Sequence, residues 1–319
     1  MSISLYDAFG VTSPVADTKQ IPLDKICPLG DHEQVQPDPN YVFEYRNLKR
    51  VLKNINNRKP MWIHGPSGCG KTELMVQVGA RLKRPVHVIS IGEETSLREL
   101  LGTFELKAAE SKNGFETAFR YGTLTQAMRE PGAIVVLDEF NMAPSTVAAQ
   151  FNRLLETGEV TIPETGETVK AADNVTFVVT ANTAGGIDES GIYAGSQAQN
   201  GATRSRFAGL RVNYLPPDLE EQIITRSFPR INAVVELPET NKTLSSLMVE
   251  TACAIRSLVA EQEVSLPFTV RNLKEWAGST LAFRDIGEAF ADAYFDMLGE
   301  TERTAVGEVF QRMFGLNLG

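Results

Sequence analysis

The chain has 319 residues, 42% of them hydrophobic and 22% charged, with a formal net charge of −9. This balance allows a packed core in one large domain or two modest ones, and it excludes wholesale disorder. The 40 acidic residues outnumber the 31 basic ones and no long Lys/Arg block occurs, which disfavours a protein that tracks nucleic acid along a basic stripe.

Three widely spaced cysteines, Cys27, Cys69 and Cys253, form no CxxC pair. They give neither a disulfide framework nor a zinc knuckle, and they fit a reducing cytosol. The histidines His32, His64 and His87 make no HxxxH or HExxH pattern, which argues against a bound transition metal. The start MSISLYDAFG lacks a basic, apolar leader, and no stretch approaches about 20 continuous apolar residues. A cytoplasmic protein without a membrane span is expected.

Along the chain, Pro14, Pro22, Pro28, Pro37 and Pro39 punctuate a start that has no sustained period, predicting an irregular arm over residues 1–40. Leu48, Val51, Leu52 and Ile55 are spaced for one apolar helix face. From Pro60 strands and helices alternate. MWIHG reads as a first strand, KTELMVQVGARL as a helix, VHVISI as a second strand and AIVVLDE as a third. A helix over Ser145–Glu156 should end at Gly158, followed by VTFVVTAN as a fourth strand and LRVNYL as a fifth. Continuous apolar strands of this kind belong to a parallel sheet covered on both faces by helices.

Two segments interrupt the alternation. TFELKAAESKNGFETAFRYG places short runs around Lys112-Asn113-Gly114, predicting a hairpin inserted between the second and third strands. Its flanking Phe104 and Phe115 belong either to the hairpin surface or to the core. GEVTIPETGETVKAA predicts a second hairpin before the fourth strand. After Pro216-Pro217 only helices are predicted, including Arg271–Phe283 and Ile286–Leu298. The predicted division is therefore an arm (1–40), a large α/β domain (41–215) and a smaller all-helical domain (216–319).

Gly65-Pro66-Ser67-Gly68-Cys69-Gly70-Lys71-Thr72 matches GxxxxGK[ST] between a predicted strand and a predicted helix. That spacing lets backbone N–H groups curl around phosphates at a helix N-terminus, with Lys71 reaching the outer phosphates and Thr72 holding Mg²⁺. The expected ligands are ATP and Mg²⁺. Asp138 and Glu139 end the third strand, Asp138 placed for the Mg²⁺ shell and Glu139 for orienting the attacking water. Asn182 ends the fourth strand, where a crevice beside the phosphates is expected; alone it would read as a turn residue. Arg204 and Arg206, in ATRSRFAG, sit on a predicted helix before the fifth strand. Arg206 is preferred as an arginine acting on a neighbour's γ-phosphate, because Phe207 behind it would pack and fix it. Arg271, opening a helix of the last domain, is a further candidate phosphate contact; the other reading is an ordinary surface arginine.

These motifs, in this order, resemble AAA+ ATPases of the MoxR branch. The first hairpin looks like that branch's helix-2 insert and the second like its hairpin before sensor 1. TANTAGGIDESGIYAGSQAQNGATRSRF, with Gly191, Tyr193 and Gly195, is similar to the ATPase subunit of aerobic cobaltochelatase, the CobS family. So are NYLPPDLE, PDPNYVF and the tail from TVRNLKEWA to VFQRMFGLNL. The resemblance implies a P-loop AAA+ domain with a five-stranded parallel sheet flanked by helices, then a smaller all-helical lid. It assigns Lys71 and Thr72 to the P-loop, Asp138 and Glu139 to Walker B, Asn182 to sensor 1, Arg206 to the arginine finger and Arg271 to sensor 2. It further implies a hexameric ring working with a partner that bears a von Willebrand A domain and a Mg²⁺-binding MIDAS. Cobalt insertion into a corrin is the first implied function. The second is a MoxR-type remodeler, since GPSGCGKT is similar to the P-loops of relatives that activate rubisco or nitric-oxide reductase. A nucleotide-gated scaffold would need neither Glu139 nor Arg206, and a DNA motor is disfavoured by charge.

Overall fold

In the computed structural model the described residues are 3–13, 17–32, 35–108, 115–185, 201–235 and 242–318. Lys112-Asn113-Gly114, Gly191, Tyr193 and Gly195 lie outside them. The chain divides into two compact units. The first comprises Met1–Pro37, Tyr45–Gly65 and Lys71–Val212; the second comprises Asp38–Glu44, Pro66–Gly70 and Asn213–Gly319.

In the first unit the arm contains a short helix, α1 (Leu5–Phe9), started by Ser4, whose hydroxyl accepts from the Asp7 amide, and ended by Gly10. Leu5, Phe9, Val11, Leu23 and Cys27 are buried. Helix α2 (Tyr45–Asn56) buries the expected stripe of Leu48, Val51, Leu52 and Ile55. Strand β1 (Met61–His64) leads through the glycine-rich loop into α3 (Lys71–Leu82), and β2 (Val86–Ser90) follows. A one-turn helix, α4 (Leu97–Leu101), carries a Ser96/Glu99 capping box. Strands β3 (Gly102–Ala108) and β4 (Phe115–Tyr121) then pair antiparallel as the predicted hairpin.

Helix α5 (Thr123–Arg129), β5 (Ile134–Asp138) and α6 (Ser145–Thr157) come next, and α6 stops at Gly158 as predicted, with φ 70°. A second antiparallel pair, β6 (Glu159–Thr161) and β7 (Thr168–Lys170), precedes β8 (Thr176–Ala181). Helix α7 (Gly201–Arg204) and β9 (Ala208–Arg211) complete the unit.

Five strands form one parallel sheet in the order β2-β5-β8-β1-β9. Strand β5 is buried throughout except at Asp138, and β8 is buried along its full length, as a sheet covered on both faces requires. One expectation is corrected here. The fifth strand spans 208–211 rather than 210–215, because Ala208 and Gly209 already lie in register with Met61 and Trp62. Of the two places left open for the phenylalanines of the first hairpin, they take its surface: Phe104 is 50% exposed and Phe115 80%.

The second unit contains α8 (Pro217–Ser227), α9 (Leu244–Ala260), α10 (Val270–Phe283), α11 (Ile286–Ala293) and α12 (Glu300–Phe314). Its core gathers Phe268, Trp276, Phe290, Tyr294, Phe310 and Phe314, with the Trp276 indole N–H donating to the Ile286 carbonyl at 3.0 Å. The predicted Ile286–Leu298 helix ends at Ala293. Tyr294 leaves the helical region at φ −157°, and its hydroxyl donates to the Leu266 carbonyl at 2.5 Å. No helix of the described residues is long and apolar enough to cross a membrane.

Candidate nucleotide-hydrolysis site

The carboxyl ends of β1, β5 and β8 lie side by side, with His64 in register with Ala181 and Leu137 with Val179. In an open α/β sheet this edge is where ligands bind. The loop after β1 needs glycines: Gly68 and Gly70 have φ of 66° and 88°, a region that disfavours side chains. Lys71 then opens α3, 9% exposed, and its Nζ donates to the Gly65 carbonyl at 2.9 Å and to Asn182 Oδ1 at 3.0 Å. Lys71 and Asn182 are 111 residues apart in sequence and meet because β1 and β8 are neighbours.

One carboxylate oxygen organises the other side of the site. Asp138 Oδ1 accepts from the Thr72 hydroxyl at 2.6 Å and from the Thr180 hydroxyl of β8. The Thr180 oxygen in turn accepts the backbone N–H of Glu139 at 3.2 Å. This contact helps to hold Glu139 in the left-handed region (φ 58°), which directs its exposed side chain away from the strand line. Asn141, buried just beyond, accepts the Asn182 amide through Oδ1 at 3.4 Å.

Thr180 and Asn141 were missed as functional residues. Thr180 carried a usable signal: it is a hydroxyl following the apolar run Phe177–Val179, two residues before Asn182 and so on the same face. Asn141 carried none beyond its nearness to Asp138-Glu139.

His64, at the end of β1, is held below its ordinary pKa of 6.5, first by burial and then by the charges of Arg211, Lys71, Arg204 and Arg50. The crevice edge is therefore electropositive, suited to an anionic ligand. The arginines separate. The Arg204 side chain lies over Gly185 and its charge is felt at His64. Arg206 is past the end of α7 and donates from Nε and Nη2 to Glu156 Oε1 on α6. Phe207 is buried, its ring 5.4 Å from that of Trp62 at 80°. Arg271 is exposed in the first turn of α10 and makes no hydrogen bond or ion pair among the described residues.

The donor chemistry fits a small hard dication: a hydroxyl and a carboxylate oxygen already converge, and such ions take oxygen ligands. The lysine, the glycine-rich backbone and the positive edge fit a polyphosphate.

The profile of the AAA domain (dynein-related subfamily) matches residues 60–207, which span all of these features except Arg50, Arg211 and Arg271. Residues 60–207 thus carry the sequence pattern of an AAA domain. Across 320 aligned residues the chain is 28% identical to the aerobic cobaltochelatase subunit CobS of Sinorhizobium sp, covering 99% of this chain and 92% of that one. It is 33% identical to midasin of Dictyostelium discoideum over 189 residues, which is 59% of this chain and 3% of midasin. Among solved structures, a RuvB mutant of Thermotoga maritima aligns with 88% of this chain and 76% of its own, at 15% identity and a TM-score of 0.48.

Proposed function

We propose that this chain is an AAA+ ATPase, the motor subunit of a cobaltochelatase-type complex, working as a hexameric ring in the cytoplasm. One observation carries the reading: the likeness to CobS runs through 99% of the chain, well beyond the AAA domain at 60–207. In this reading ATP hydrolysis drives cobalt insertion into a corrin held by a separate large subunit, through a partner bearing a von Willebrand A domain and a MIDAS.

Lys71 and the backbone of Gly65-Pro66-Ser67-Gly68-Cys69-Gly70 bind the phosphates, and Thr72 and Asp138 would hold Mg²⁺. When bound, Mg²⁺ neutralises charge on the outer phosphates. Glu139 orients and polarises the attacking water, and Asn182 holds that water in line while tethering Lys71. Thr180 keeps Asp138 and the Glu139 backbone in fixed relation. Arg206 is supplied to the neighbouring subunit's γ-phosphate, and Arg271 takes the sensor 2 role.

A second reading keeps the same motor and changes the client: a MoxR-type remodeler acting on another protein complex, favoured by the P-loop string GPSGCGKT. Co-purification with a Glu139→Gln variant in the presence of ATP distinguishes them. A corrin-binding large subunit and a von Willebrand A protein are expected. Recovery of a von Willebrand A protein with another client gives the second reading, and recovery of neither sinks both.

A further inference from the structure

We infer that Tyr214 is a positioning residue for the phosphate loop: it orients the Ser67–Gly68 peptide so that the Gly68 N–H is preset for a phosphate. This rests on reading the loop as an ATP site and goes beyond it. Tyr214 lies in NYLPPDLE, a string that no step of hydrolysis uses.

The apex of the loop, Pro66–Gly70, belongs to the same compact unit as Asn213–Gly319. Within that unit the Tyr214 hydroxyl donates to the Ser67 carbonyl at 2.8 Å. The peptide is planar and trans, so the Ser67 C=O and the Gly68 N–H point in opposite directions from one rigid plate. Fixing the carbonyl toward Tyr214 fixes the N–H away from it. Gly68 is hemmed in from the same unit: a Cβ there would come within 2.4 Å of the Thr269 side chain. The plate is thus gripped at its oxygen and backed at its next α-carbon.

Tyr214 is itself held. The Arg256 guanidinium lies 3.8 Å from the centre of its ring. Arg256 Nη1 donates to both carboxylate oxygens of the fully buried Glu220, at 3.0 and 2.8 Å. Its Nε donates to the Phe268 carbonyl at 2.8 Å, one residue before Thr269. One buried ion pair therefore supports both contacts on the loop. A donor oriented before the ligand arrives lowers the ordering cost of binding, so the effect belongs to affinity.

Two variants of the full chain test this. Tyr214→Phe removes the hydroxyl and keeps the ring over Arg256. Its KM for ATP and its Kd for ADP should rise at least about threefold, and at most about tenfold, the range for one neutral hydrogen bond. Its kcat and melting temperature should match wild type. Tyr214→Leu should raise KM at least as much and also lower the melting temperature, because the ring contact goes too. A purely structural role would move the melting temperature in both variants. KM and Kd for Tyr214→Phe below about twice the wild-type values, or a loss confined to kcat, overturns the inference. Lys71→Ala is the control: if it binds ADP as wild type does, the reading as a P-loop nucleotide site is what has failed.

Discussion

The Thr72 hydroxyl donates to Asp138 Oδ1 at 2.6 Å, joining the first residue after Lys71 to the tip of the third sheet strand in chain order. Thr180 donates to the same oxygen from the strand between them, so the two Mg²⁺-ligand candidates and the base-bearing loop share one network. This network separates binding from hydrolysis. Lys71→Ala should abolish nucleotide binding. Glu139→Gln should bind ATP and hydrolyse it at least about 10²-fold more slowly. Thr180→Val should lower kcat about tenfold while leaving ATP affinity within about threefold, since it removes the contacts to the Asp138 carboxylate and the Glu139 backbone N–H but touches no phosphate. Equilibrium titration beside single-turnover hydrolysis checks all three. Near-wild-type turnover by Glu139→Gln would remove Glu139 from its assigned role.

His64 gives a pH signature. Its folded pKa lies below the ordinary 6.5, from burial first and four nearby cationic groups second. Between the folded and unfolded values the unfolded chain binds a proton that the native state does not, so stability rises with pH through that window. The contribution is complete above about pH 6.5 and is lost as the pH falls below it. His64→Gln should therefore lose less stability than wild type between about pH 7.5 and pH 5.5. Urea midpoints at the two pH values measure this, and parallel losses in both proteins would contradict the placement of His64.

The arm is pinned at Gly30. Its N–H donates to the Leu82 carbonyl, the His32 N–H donates to the Lys83 carbonyl, both at 2.9 Å, and a Cβ on Gly30 would lie 2.1 Å from the Lys83 oxygen. Gly30→Ala should cost about 1–3 kcal/mol, the usual penalty of forcing an atom into a packed site. Denaturant unfolding gives the cost, and limited proteolysis should cut the arm sooner. An unchanged midpoint would mean that the arm is not docked through this contact.

What the sequence disclosed followed from how local each signal is. The phosphate loop is contiguous, and β1, α3, β5 and the end of α6 at Gly158 follow from runs and caps within a few residues. Asp138, Glu139 and Asn182 were legible as polar ends of apolar strands. The Thr180–Asp138 contact depends on strand order across 42 residues, which no local pattern encodes. The arm looked irregular because its order comes from contacts between separated positions, such as Leu5 with Ile21 and Gly30 with Leu82, rather than from a local period. Tyr294 broke a predicted helix for a similar reason, since its hydroxyl is claimed by Leu266, 28 residues away. Residues 208–209 were left out of the predicted fifth strand because Gly209 is exposed on an edge strand, where packing leaves little hydrophobic signature.

Arg206 is where the ring reading can be put at most risk. Within its own subunit it is paired with Glu156 on α6, while Lys71 is engaged with Gly65 and Asn182. The buried Phe207 anchors the backbone behind it against Trp62, leaving the side chain partly exposed. A cation so placed aids hydrolysis if a neighbouring subunit brings its phosphate there. Arg206→Ala should then keep ATP affinity within about tenfold, ~1.4 kcal/mol, because Lys71 and the loop backbone hold the ground state. Its kcat should fall by about 10² or more, since the lost contact matters most as charge develops on the γ-phosphate. Mixing decides the matter. Arg206→Ala and Lys71→Ala subunits should each be inactive alone. Mixed rings would contain interfaces where an intact P-loop meets an intact Arg206, and those rings should regain measurable ATPase activity. Native mass spectrometry with one variant isotopically labelled verifies co-assembly. Verified mixed rings that stay inactive would show that Arg206 does not act in trans, and Arg204, whose charge already reaches His64, would be the next residue to substitute.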